Sequence, residues 1–91
     1  MITVKDAIDN IRRQHPTQLL MEAVELDNGY FFFSKERGAT EPKYGAAGIF
    51  VDGQSGAVSF EPLSFLASHD LGKDDIDISR FQTTEESREK G

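Results

Sequence analysis

Tyr30, Phe31, Phe32 and Phe33 are four aromatic residues in an unbroken run. In an extended strand, alternate side chains leave on opposite faces. The run therefore loads both faces of a sheet with rings, and each face needs cover. The chain has 91 residues, 37% of them hydrophobic. A domain of this size buries about 60–65% of the surface its unfolded chain exposes. Little material is free to cover two faces, so the segments that do it decide the fold.

One cover is easy to place. Thr3 suits an N-cap, and Val4, Ala7, Ile8 and Ile11 follow it at helical spacing. Asp6 near the start and Arg12 and Arg13 near the end match the helix dipole. Pro16 stops the pattern. The spacing predicts an amphipathic helix over Thr3–Gln14. Gln18–Leu26 reads as a strand, with Leu20, Val24 and Leu26 on one face, Glu22 breaking that stripe, and Leu19, Met21 and Ala23 on the other. Asp27–Gly29 reads as a hairpin turn, because Asn and Gly tolerate positive φ.

Tyr30–Ser34 returns as the second strand. Ser34–Ala47 holds glycines, a proline and mixed charge, and reads as a long loop; such loops in small domains are often functional. Gly48–Val51 and Ala57–Glu61 make two further strands around the turn Asp52–Gly56, with Val58 and Phe60 on one face. Pro62 ends the last strand.

The expected fold is α+β: an N-terminal helix packed on a four-stranded antiparallel meander sheet, with a C-terminal segment partly covering the other face. Phe31 and Phe33 face one way, Tyr30 and Phe32 the other. One pair belongs under the helix, against Ile8 and Ile11. The other has Leu63, Phe65, Leu66 and Ile76 as its available cover. Residues 1–81 are expected to form one domain. Residues 82–91 contain no apolar side chain and are expected to be a disordered tail.

Composition excludes several function classes. The chain lacks cysteine, so it has no disulfide framework and no thiolate zinc site. No apolar run approaches the roughly 20 residues of a membrane helix. The opening residues carry charge where a signal peptide is apolar. The expected location is the cytoplasm, with no membrane partner. The net charge is −6. The first 45 residues hold six basic and seven acidic side chains, the remaining 46 four and nine. That acidity opposes nucleic-acid binding and suits a basic protein partner.

The motif search points the same way. Gly53-Gln54-Ser55-Gly56-Ala57 lacks the last glycine of a nucleophile elbow and sits between strands rather than before a helix. His69 adjoins Asp70, but neighbours in sequence rarely point together, and no cysteine or well-placed serine completes a catalytic set. The carboxylates of Asp70–Asp77 do not fit the calcium-loop spacing. The aromatic run lacks the basic residue and second glycine of an RNA-stacking sheet. No phosphate or dinucleotide loop is present. No catalytic residue, cofactor or metal is expected. A binding module follows by elimination.

An N-terminal helix, the aromatic strand "NGYFFF", and then "AAGIFVDGQSGAVSF" form a pattern that resembles the YrhB-like domain of bacterial polymorphic-toxin immunity proteins. The resemblance covers residues 3–61 and is sharpest over Gly48–Phe60. It implies an immunity protein that binds a cognate toxin domain and blocks its active site or substrate access. Asp52, Gly53 and Gly56 carry over as hairpin positions only, because toxin contacts differ between members of that family. Loop length and charge single out Lys35, Glu36, Arg37 and Tyr44, with the acidic Asp70, Asp74 and Asp75, as partner-binding candidates. The alternative is a self-associating structural or regulatory domain, a homodimer closed through the second aromatic face.

Overall fold

Five strands form one antiparallel sheet in the order β4-β3-β2-β1-β5. The computed structural model describes residues 1–38, 48–62, 64–67 and 75–90. Helix α1 spans Val4–Gln14, and the strands are β1 Gln18–Leu26, β2 Gly29–Glu36, β3 Gly48–Asp52, β4 Val58–Glu61 and β5 Asp75–Ile76. Helix α2 is Ser64–Ala67, a 3-10 turn spans Ser79–Phe81, and α3 is Thr84–Lys90. The fold is α+β, with a fifth strand at the β1 edge that sequence reading does not find. A two-residue strand has too little pattern to announce itself.

Local chemistry explains α1. The Thr3 side chain accepts from the Asp6 N–H at 3.1 Å, and the His15 N–H closes the last turn on the Ile11 carbonyl. Ala7, Ile8 and Ile11 are buried. They meet Leu20, Ala23, Tyr30, Phe32, Ile49, Val51 and Ile78 in the larger core cluster. The smaller cluster lies on the opposite sheet face and joins Leu26, Phe31 and Phe50, with Val24, Phe33 and Phe65 packed on it. The Phe65 ring stacks on Phe31 at 6.0 Å and tilts against Phe50 at 4.9 Å.

The four rings are thus divided, Tyr30 and Phe32 under α1 and Phe31 and Phe33 under α2. The C-terminal segment does not stay on one face. Phe65 covers the far side, whereas Ile76, Ile78 and Phe81 pack on the α1 side. Ile76 was expected with Phe65; its place in β5, opposite Ala23, puts it on the other face. Leu63 and the side chain of Leu66 lie outside the described residues.

Strict alternation also fails along β1. Leu20 pairs with Ser34 and Glu22 with Phe33, leaving Met21 as the extra residue of a β-bulge. The bulge reverses parity. Leu20 and Ala23 share the α1 face, while Glu22, opposite Phe33, joins Val24 and Leu26 on the far side. Glu22 therefore does not break a stripe shared with Leu20.

Two other expectations change. Residues 35 and 36 belong to β2 rather than to a loop, and residues 84–90 are helix rather than disordered tail. The first hairpin forms without positive φ at Asp27, Asn28 or Gly29. Gly29 is required by proximity, since a Cβ there would lie 2.2 Å from the Val51 carbonyl oxygen.

Gly48 meets a similar constraint in β3. An added Cβ would stand 2.1 Å from the Phe32 carbonyl oxygen and 2.9 Å from the Phe31 ring. Gly48→Ala is expected to destabilise the protein by about 1–3 kcal/mol through overpacking. Urea unfolding should show a lower midpoint with an unchanged slope.

Candidate functional site

The sequence-predicted partner residues do not converge. Glu36 accepts from the Thr17 hydroxyl at 2.8 Å and from the Gln18 amide. The Arg37 guanidinium Nε donates to both oxygens of Glu85, at 3.0 and 3.1 Å. Lys35 is half-buried opposite Leu19. These three residues sit near the start of β1 and are partly engaged in tying strand ends together. Asp75 lies on β5 opposite Val24, six residues farther along β1 from Gln18. At about 3.3 Å per residue that separation is roughly 20 Å. Tyr44, Asp70 and Asp74 lie outside the described residues.

Around Asp75 the structure assembles a groove that the sequence did not mark as one place. It has a volume of about 210 Å³ and is lined by Met21, Glu22, Asp75, Ile76, Asp77 and Ile78. The bulge at Met21 and strand β5 bring these residues together. Glu22, Asp75 and Asp77 are exposed, and Ile78 is buried. The groove's exposed lining is mostly polar, with Met21 and Ile76 partly exposed. Such a surface suits a lysine or arginine, whose stem packs on apolar atoms while its charged head meets carboxylates. Among the described residues, no group of three or more histidine, cysteine, aspartate or glutamate side chains is placed to hold a metal.

A second exposed feature lies at the opposite edge of the sheet. Phe60 on β4 is 53% exposed, and its ring meets the edge of His15 at 4.6 Å. The Asp52 N–H bonds to the Ala57 carbonyl. By strand alternation, the main-chain groups of Ser59 then face β3 and those of Val58 and Phe60 face away from the sheet.

The most constrained polar group is elsewhere. The Glu86 side chain is fully buried. Arg12 donates to it through two nitrogens, at 2.9 and 3.2 Å. The N–H groups of Leu20 and Thr83 donate at 2.5 and 2.8 Å. Thr83 and Glu86 also complete a capping box, because the Glu86 N–H donates to the Thr83 hydroxyl. Burial pushes the Glu86 carboxyl upward, but the hydrogen bonds and the Arg12 charge prevail and hold it below its ordinary value. This constellation orders the fold. Its sequence signal was the Thr-x-x-Glu spacing at 83–86, in a segment set aside for its polarity.

Compared with protein-family models, curated proteins and solved structures, the chain matches none. No described helix is long and apolar enough to cross a membrane.

The Glu86 contacts set a pH dependence. A carboxyl lowered on folding contributes stability above its unfolded pKa, and that contribution is lost as pH falls through the folded value. Resistance to urea should therefore fall on the acid side of the carboxylate range. Glu86→Gln should flatten that limb. A residual slope is expected from Asp52, lowered by N–H bonds from Ser55 and Gln54. Removing the cation instead, as Arg12→Met, strands a buried carboxylate. The expected loss is about 3 kcal/mol, the low end for broken buried pairs, because Arg12 itself is 30% exposed.

Proposed function

We propose that this protein is a binding module that neutralises a basic protein partner, as an immunity protein neutralises its cognate toxin domain. The groove of Glu22, Asp75 and Asp77 over Met21, Ile76 and Ile78 carries the reading. It supports a partner that inserts a lysine or arginine and is drawn in by the net charge of −6. The resemblance of residues 3–61 to YrhB-like immunity domains supports the same class. In that role the module acts by occupation, covering the partner's active site or the approach of its substrate. Lys35, Glu36, Arg37 and Tyr44, with Asp70 and Asp74, remain proposed contacts in addition to the groove. The cytoplasm is the proposed location.

A second reading rests on a different observation. Phe60 stands exposed on the edge strand β4 beside outward main-chain groups, which supports self-association by strand pairing. The second aromatic face, first expected to close on another copy, is occupied within the chain: Phe31 is fully buried and stacked by Phe65.

Co-expression with the product of the adjacent upstream gene tests the first reading through co-purification and rescue of growth. Failure of both would sink it. In a binding pair, Glu22→Gln with Asp75→Asn is expected to weaken affinity about tenfold, mainly through slower association with a smaller salt dependence. Light scattering separates the readings: a monomer favours the first, and a dimer dissociated by Phe60→Lys favours the second.

A further inference from the structure

The segment Gln82–Lys90 contains no apolar side chain, yet it is helical from Thr84 and holds the fully buried Glu86. A seven-residue helix does not persist in water on its own. Its attachment is therefore tertiary, and the contacts described above are polar. Glu86 binds Arg12 of α1 and the Leu20 N–H of β1. Glu85 binds Arg37 at the end of β2. The Gln82 amide donates to the carbonyls of Leu20 and Met21, at 2.7 and 3.3 Å. The apolar clusters on both sheet faces contain no residue from this segment.

These contacts occupy one place. Strand β5 pairs with β1 only at Ala23 and Val24. Just beyond, at the bulge, the outer edge of β1 presents the Leu20 N–H and the Leu20 and Met21 carbonyls. Side chains of the C-terminal segment satisfy all three, in place of a strand.

We propose that residues 82–90 are a releasable strap, which detaches as a unit and bares the β1 edge while the sheet stays folded. The chemistry makes this separable. Opening returns Glu86 to water, and Arg12, already partly exposed, can rehydrate. Arg12 from α1 is the charged group in contact with Glu86; β1 contributes main-chain N–H, and the Arg37–Glu85 pair flanks the strap from the β2 end. The closed strap protects an edge that would otherwise invite pairing with another chain.

Native-state hydrogen exchange of the full chain, at neutral pH and low denaturant, tests the proposal. The Leu20 amide is the reporter, because it lies in the sheet but bonds to the strap. It should exchange together with the α3 amides, at least about tenfold faster than those of Phe31, Phe32 and Ile49. Glu86→Gln should raise the shared rate about tenfold or more; the three sheet amides, which exchange through global unfolding, should speed up by a similar factor, so that Leu20 and α3 keep their lead of at least about tenfold. The proposal is overturned if Leu20 and α3 exchange only with the sheet in one global transition. It is equally overturned if Leu20 keeps sheet-like protection while α3 exchanges alone. A Glu86→Gln protein that fails to fold would also overturn it, since the sheet would then depend on the strap.

Discussion

A buried main chain must find partners, and in this protein that demand centres on the Met21 bulge. The extra residue bends β1 out of register, so its outer edge cannot be served by one continuous neighbour. Two residues of β5 serve part of it. Glu86 and Gln82 serve the rest. A carboxylate placed there would be unfavourable alone, because burial opposes its charge. Arg12 removes that penalty and ties α1 to the far end of the chain. Helix α1, strand β1 and the C-terminus thus meet at one group.

The bulge also governs what each face of the sheet contains. Without it, the parity of β1 would place Leu20 with Val24 and Leu26. With it, Leu20 joins the cluster under α1, while Glu22 stays with Val24 and Leu26 and lines the acidic groove at the β1–β5 edge. The aromatic run in β2 needs no such correction, because its alternation is unbroken against both neighbours from Gly29 to Phe33.

Much of the fold was legible because its signals are local. Thr3 and Pro16 bracket α1, the apolar spacing gives its buried stripe, and the turns at Asp27–Gly29 and Asp52–Gly56 separate strands. What was not legible depends on distant partners. Nothing near Met21 announces a bulge. Ile76 reads as a generic apolar anchor, and its face is set by pairing with Ala23. The polar segment after Phe81 looked like a tail because hydrophobic periodicity cannot report a helix held by ion pairs. The candidate site was less legible still. Charge and loop length picked Asp75, but Glu22 and Asp77 become its neighbours only through the bulge and β5.

The Arg12–Glu86 contact joins residues 74 positions apart in the chain. For a free chain, the entropy lost on closing a loop grows with the logarithm of its length, by about 0.6 kcal/mol for each doubling. A hairpin such as β1–β2 closes on two residues. The Arg12–Glu86 ring spans most of the polymer, so polar bonds alone are poorly matched to closing it from the unfolded state. The sheet shortens that ring. With β1 paired to β5, the C-terminal segment is held beside β1, so the ring that the Arg12–Glu86 pair closes is short. Seen this way, the two-residue strand β5 is less a piece of sheet than a guide, delivering one end of the chain to the other.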